Sequence, residues 1–305
     1  MTEKYRDGLI IKGIAGFYYV KSGDEVFRCK ARGIFKQKNI KPAVGDKVRI
    51  EIIPDNDDSL ITDILPRKNS FIRPFVANVD CFVVVAAANE PAPALQVIDR
   101  LFIMAEKNGT EALLCVNKTD LAHEKRGKKG TAAKKNIELL SEVYEPVYPL
   151  VFLGKDDHEG LEKLKRLISG KTSAMAGPSG VGKSTILNRL IPGASAETGS
   201  ISAKSKRGKH TTRHSELFQL DCENTFLFDT PGFTSFDILE AEEEELQHFY
   251  PDIEKFTGGC RYNNCVHVSE PGCGVIRALE EGKLSLKRYE SYKANIEEIR
   301  KSKQY

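Results

Sequence analysis

Near the N-terminus, apolar residues come in short bursts separated by turn residues. They gather at positions 9–11, 16–20, 26–29, 32–35 and 60–65, and residues 44–50 alternate apolar with polar after a turn. A period of two over such short stretches predicts strands. About five of them with regular turn signals predict a small β-barrel over residues 1–70.

The pattern then changes. Residues 79–88 form a continuous apolar run of the kind a parallel sheet buries on both faces. Ala94, Leu95, Val97, Ile98, Leu101, Phe102 and Met104 follow at helical spacing behind Pro93. Further strands are expected at 111–116, 147–153, 172–176 and 225–228. Helices are expected through Leu140 and over 160–168 and 185–190. This alternation predicts a doubly wound α/β domain over residues 71–236. Beyond it the chain turns polar and helical, from an acidic run at 240–245 to a charged helix over 284–303, giving a third unit over residues 237–305.

The longest apolar run is about half of what a membrane-spanning helix needs, and it contains Asp80. The first residues lack the apolar core of a secretory signal, so membrane and secreted classes are set aside and a cytoplasmic location is expected. With 46 Lys+Arg and 43 Asp+Glu, a net charge of +3 does not by itself announce a nucleic-acid binder. Distribution says more. Residues 1–68 hold fourteen basic against ten acidic residues, and Lys204, Lys206, Arg207, Lys209 and Arg213 crowd one stretch. A second basic group, Lys283, Lys287, Arg288 and Lys293, lies near the C-terminus. Each group alone reads as a solvated face; with a basic barrel they suggest an RNA surface.

Gly177-Pro178-Ser179-Gly180-Val181-Gly182-Lys183-Ser184 fits G-x-x-x-x-G-K-[ST], between an expected strand and a helix opening at Thr185. Its glycines let backbone N–H groups wrap phosphates, Lys183 reaches the β and γ phosphates, and Ser184 holds Mg²⁺. Asn117-Lys118-Thr119-Asp120 follows the strand at 111–116 and fits the N-K-x-D guanine motif, whose carboxylate accepts from the base N1–H and exocyclic amine. Asp229-Thr230-Pro231-Gly232 fits D-x-x-G, with Asp229 toward Mg²⁺ through water and the Gly232 N–H toward the γ-phosphate. Between these lies Arg207-Gly208-Lys209-His210-Thr211-Thr212-Arg213-His214, where Thr212, with Thr211 as the alternative, is the candidate Mg²⁺ ligand.

The order of these motifs is permuted, because N-K-x-D precedes the phosphate loop. Residue 233 is Phe, where many GTPases carry a water-positioning glutamine. A phenyl ring cannot orient water, so slow intrinsic hydrolysis is expected. His210 is a candidate for the missing group; the alternatives are a partner-supplied group or a solvated loop histidine. Of seven cysteines, three cluster as Cys260-x₄-Cys265-x-His267-x₅-Cys273, the donor set of one closed structural zinc site. Reduced core cysteines beside a chance histidine are the alternative.

Together these residues resemble the RsgA family of circularly permuted small-ribosomal-subunit biogenesis GTPases. The resemblance spans essentially the whole chain and implies an OB-fold N-terminal domain, a permuted GTPase and a helical zinc-binding domain. It implies GTP and GDP as ligands with Mg²⁺, and the 30S subunit and its 16S rRNA as partners. It also implies hydrolysis stimulated by that subunit and coupled to late maturation; nothing demands more than a monomer. Two departures stand out: residues 151–155 read Val-Phe-Leu-Gly-Lys in place of an S-A-K-like loop, and Arg213 replaces a third threonine. Two rival readings remain, an RNA-binding assembly chaperone with a slow nucleotide switch, and a permuted GTPase serving the large subunit or another RNA.

Overall fold

The computed structural model describes residues 4–37, 40–53, 56–72, 74–123, 128–192, 215–222, 224–229, 233 and 241–303. In chain order the strands are β1 (Tyr5–Ile14), β2 (Phe17–Ser22), β3 (Glu25–Ala31), β4 (Lys47–Glu51), β5 (Ser59–Ile64), β6 (Ser70–Ile72) and β7 (Phe75–Ala77). They continue as β8 (Cys81–Ala87), β9 (Glu111–Asn117), β10 (Leu150–Leu153), β11 (Thr172–Ala176), β12 (Glu216–Gln219) and β13 (Phe226–Asp229). The helices are α1 (Gly33–Gln37), α2 (Leu95–Lys107), α3 (Lys128–Tyr144), α4 (His158–Ile168), α5 (Lys183–Leu190), α6 (Pro251–Glu254), α7 (Gly274–Glu280) and α8 (Leu286–Ser302). The chain divides into two compact units, one of residues 1–81, 165–175 and 184–233, the other of residues 82–164, 176–183 and 234–305.

In the first unit the strand order is β11-β13-β12-β1-β2-β3-β5-β4, and β4 also pairs with β1. The five strands β1-β2-β3-β5-β4 therefore close into the expected barrel. Its core is the inward half of the alternation: Ile10, Val20, Cys29, Val48, Ile50 and Ile61 are all fully buried. Besides β2, strand β1 serves two further neighbours. Residues Tyr5 to Leu9 pair with β4, and Lys12 pairs with Glu216 of β12. Gly45 lies at φ +93°, and a Cβ there would stand 2.1 Å from the Ala77 carbonyl oxygen and 2.9 Å from the Phe228 ring. Only glycine allows the barrel to press so closely on β7 and β13.

Two stretches differ from expectation. Of residues 32–35, expected as a strand, 33–35 form part of α1 instead. The β3–β5 ladder ends at Ala31 opposite Ile61, so the backbone closes on itself, the Phe35 N–H donating to the Arg32 carbonyl at 3.1 Å. Phe35 alone then turns inward while Ile34 stays exposed. The strand expected from 147 begins at Leu150, because the N–H groups of Val147 and Tyr148 bond back to the Tyr144 carbonyl and end α3. The β6–β7 hairpin and β12 were not foreseen.

In the second unit β10, β9 and β8 lie side by side, and every residue of β8 is buried, as its unbroken apolar run requires. Helix α2 buries Ile98, Leu101, Phe102 and Ile103, and α8 buries Tyr289, Tyr292, Ile296 and Ile299. Arg288, read above as part of a basic surface, is 1% exposed and salt-bridged to Asp99 of α2 and to Asp252. Its guanidinium meets Asp252 at 2.8 and 3.0 Å and lies 4.6 Å from the Tyr250 ring centroid. Two carboxylates on neighbouring elements draw this cation inward, so it leaves the surface patch. No helix among the described residues is long and apolar enough to cross a membrane.

Candidate nucleotide site and metal centre

The phosphate loop runs from the end of β11 into α5. Gly177, Gly180 and Gly182 take φ of +154°, +82° and +98°, backbone that L side chains rarely adopt. At Gly182 the demand is doubled, because a Cβ would lie 2.3 Å from the Asn117 side-chain nitrogen. That same Asn117 Nδ2 donates to the Val181 carbonyl at 2.9 Å. The first residue of N-K-x-D is thus bound to the phosphate loop, 64 residues away in sequence. Lys183 donates to the Gly177 and Pro178 carbonyls at 2.6 and 2.8 Å, and burial pulls its ammonium pKa down.

Lys118 sits at φ +61° and donates to the Glu90 carbonyl. Asp120 accepts from the Lys155 backbone N–H at 3.1 Å, and a Cβ on Gly154 would stand 3.3 Å from the Thr119 hydroxyl. The loop that departs from S-A-K therefore still lies against the guanine motif and offers it a backbone N–H. Sequence reasoning flagged that loop, Lys155 included, but missed Glu90; both act through main-chain atoms, which leave no side-chain signature.

Ser184 and Asp229 both belong to the first unit. Burial, and then the charge of Glu216, raise the Asp229 carboxyl above the usual carboxylate range. A cation beside it would offset both effects. Hydroxyl and carboxylate oxygens are the donors that magnesium takes, so the pair fits the ion the motif implies. Phe233 is 2% exposed and packs edge-to-face on Phe71, centroids 5.4 Å apart. It is a core residue. His210, Thr211, Thr212, Gly232 and the basic group at 204–213 lie outside the described residues.

Cys260, Cys265, His267 and Cys273 come together, with all four ligand atoms within 4.8 Å of one another. His267 Nδ1 is 3.5 Å from Cys260 Sγ and 3.4 Å from Cys273 Sγ, and those two sulfurs are 3.9 Å apart. Tetrahedral zinc with its usual bond lengths requires edges of about 3.6 Å (N to S) and about 3.8 Å (S to S). The four residues fit a zinc ion in donor type and in spacing. Burial pushes the Cys265 thiol up to about 12 and the Cys273 thiol upward too, so ionising them calls for a metal.

A second layer holds these ligands. With Nδ1 toward the sulfurs, His267 Nε2 faces Gln247 Oε1 at 2.9 Å and donates to it. The Gly274 and Ile276 N–H groups donate to Cys260 and Cys273 sulfurs at 3.3 and 3.4 Å. Glu270 accepts from the N–H groups of Val266, Val268 and Ser269 at 2.8–3.0 Å, while the Tyr289 and Tyr292 hydroxyls donate to the His267 and Val266 carbonyls. None of Gln247, Glu270, Tyr289 or Tyr292 was foreseen. Only Glu270, an acid within the ligand spacing, gave any signal.

The sequence matches the RsgA GTPase family model over residues 64–239 and the RsgA N-terminal domain model over residues 7–61. The chain belongs to the RsgA GTPase family. A relative from Alkaliphilus metalliredigens, named small ribosomal subunit biogenesis GTPase RsgA, is 45% identical over 300 residues, which cover 98% of this chain and 99% of that protein. Among solved structures, YloQ, described as a circularly permuted GTPase, is 31% identical with a TM-score of 0.81, covering 99% of this chain and 98% of its own. YjeQ from Thermotoga maritima is 33% identical, also at 0.81, covering 97% and 98%. The fold of this RsgA-family chain is a circularly permuted P-loop GTPase with an N-terminal five-strand barrel and a C-terminal Cys/His cluster.

Proposed function

We propose that this GTPase acts in the cytoplasm on the 30S ribosomal subunit, hydrolysing GTP to GDP and phosphate to time late small-subunit maturation and its own release. The observation that carries the nucleotide assignment is the hydrogen bond from Asn117 to Val181, which fixes a guanine-reading motif to a phosphate loop. The subunit assignment rests on the name carried by the relative above. In this reading Lys183 exchanges its carbonyl partners for phosphate oxygens, and Gly177 to Thr185 wrap the phosphates. Asn117, Lys118, Thr119 and Asp120 select guanine. Ser184, Thr212 and Asp229 hold magnesium, which neutralises developing phosphate charge when bound, and the Gly232 N–H senses the γ-phosphate. Cys260, Cys265, His267 and Cys273 hold one structural zinc. The working division is barrel 1–70, GTPase 71–236 and zinc unit 237–305, acting as a monomer that touches 16S rRNA through the barrel.

Phe233 supports a second reading, in which turnover is negligible and the nucleotide is a slow affinity switch on an RNA chaperone. Its ring is held in the core against Phe71, so catalytic help must come from His210 or from a partner. One experiment separates the two: GTP turnover by the pure protein, alone and with 30S or 50S subunits. Stimulation of about tenfold or more by 30S alone, roughly 1.4 kcal/mol off the barrier, is expected. Equal slow rates in every mixture would favour the switch, and stimulation by 50S would move the assignment to the large subunit.

A further inference from the structure

Asp229 does not stand alone on its sheet. It pairs directly with Glu216 across the antiparallel β12–β13 ladder, and Glu216 in turn pairs directly with Lys12 across β1–β12. Residues directly opposite on antiparallel strands point to the same face with Cβ atoms about 4.5–5.5 Å apart. Lys12, Glu216 and Asp229 therefore form one row across three strands. Lys12 Nζ reaches both carboxylate oxygens of Glu216, at 2.9 and 2.8 Å.

The row requires a local irregularity. Ile10 points into the barrel core, and strict alternation would send Lys12 the same way. The β1–β2 register instead shifts between Ile10 and Lys12, and such a bulge re-aims the side chains beyond it. It falls where β1 leaves its barrel partner β4 and takes up β12. As a stabilising contact an ion pair about one-third exposed at each end is weak. Its consequence comes from its place. Like charges directly opposite on neighbouring strands repel, and here the second carboxylate faces the one assigned to magnesium.

We propose that Glu216 is an outer carboxylate of the magnesium site and that Lys12, supplied by the barrel, sets how much of its charge the cation feels. This rests on the reading of Asp229 as a magnesium ligand. Two adjacent carboxylates deepen the potential at the cation, and a lysine clamped on the outer one withdraws part of that gain. Whatever draws Lys12 away, an RNA phosphate on the barrel among them, would strengthen magnesium retention without touching the nucleotide.

The test uses the full chain loaded with a fluorescent GDP, with nucleotide retention read against free Mg²⁺ concentration. Glu216→Gln is expected to raise the half-saturating Mg²⁺ about threefold to tenfold, and Lys12→Met to lower it by a similar factor. In a Glu216→Gln background, where no carboxylate clamps the lysine beside the site, Lys12→Met should lower it by less. Lys12→Arg, which keeps the charge, should stay near wild type, and a shift there equal to that of Lys12→Met would overturn the charge argument. Asp229→Asn separates the layers. If it retains the wild-type Mg²⁺ response, the reading of Asp229 fails. If it loses that response while Glu216→Gln and Lys12→Met behave as wild type, the proposal alone fails.

Discussion

The phosphate loop and the thiolate loop solve one problem, holding an ion in bent backbone, with opposite materials. Residues 177–184 use the main chain: three glycines at positive φ shape the curve, and one lysine reaches across it. Residues 260–273 use side chains: three sulfurs and an imidazole face one point, and the backbone N–H groups are occupied with Cys260, Cys273 and Glu270. The first loop has a strand before it and a helix after it, which anchor its two ends. The second lies between helices of four and seven residues, α6 and α7, too short to hold themselves together. Damage to the first should cost chemistry; damage to the second should cost structure.

The sharpest way to break that contrast is to remove a sulfur. In small zinc units the metal contributes on the order of 10 kcal/mol, so Cys260→Ser should lose zinc and open α7 and the adjoining loops. Atomic absorption gives the metal content and hydrogen exchange locates the opening. Unchanged zinc would reject the ligand set, and zinc loss without added exchange would show that the thiolate loop is as self-supporting as the phosphate loop.

Next in size is Arg288→Met. The buried pairs with Asp99 and Asp252 leave two uncompensated carboxylates when the guanidinium is removed, a cost of about 3–5 kcal/mol. Exchange should rise in α2 and α8 while zinc stays bound, because Gln247, Glu270 and the Gly274 and Ile276 N–H groups hold the thiolate loop without α8. Loss of zinc in this variant would show that the α2–α8 contact, and not the loop, carries the site.

Lys183→Ala tests the other half of the comparison. Removing one preorganised charge from a phosphate site costs about a hundredfold to a thousandfold in rate, near 3–4 kcal/mol of barrier. The melting temperature should hold, since the lost bonds run only to two main-chain carbonyls of the same loop, those of Gly177 and Pro178. Wild-type hydrolysis would sink the phosphate-loop assignment.

What the sequence made legible follows the same division. A phosphate loop writes its conformational demands as glycines at fixed spacing, and a thiolate cluster writes its donors as Cys and His, so both could be read before any coordinates. The unbroken run of β8 announced its own burial. Strand β12 could not be read, because four residues of sequence Glu-Leu-Phe-Gln become a strand only through the register with β13. The Lys12–Glu216–Asp229 row was hidden for the same reason, compounded by a bulge that breaks alternation. Arg288 looked like surface because composition cannot show that Asp99 and Asp252, 189 and 36 residues away, converge on it. Residues named by a motif were visible; residues that hold the motif in place were not.

Gln247 is the smallest test of that last distinction and the most direct. It lies 20 residues before His267 and outside any ligand spacing, yet it takes the one N–H that fixes the imidazole ring. Partners of this kind usually carry about tenfold to a hundredfold of metal affinity. Gln247→Ala should therefore weaken zinc by about 1.4–2.7 kcal/mol in competition with a chelator, at unchanged stoichiometry. Gln247→Glu, which keeps an acceptor at the same reach, should recover most of the loss. Equal chelator resistance in all three proteins would mean that the ring is held by the backbone of residues 265–270 alone. The thiolate loop would then owe its geometry to main chain after all, like the phosphate loop.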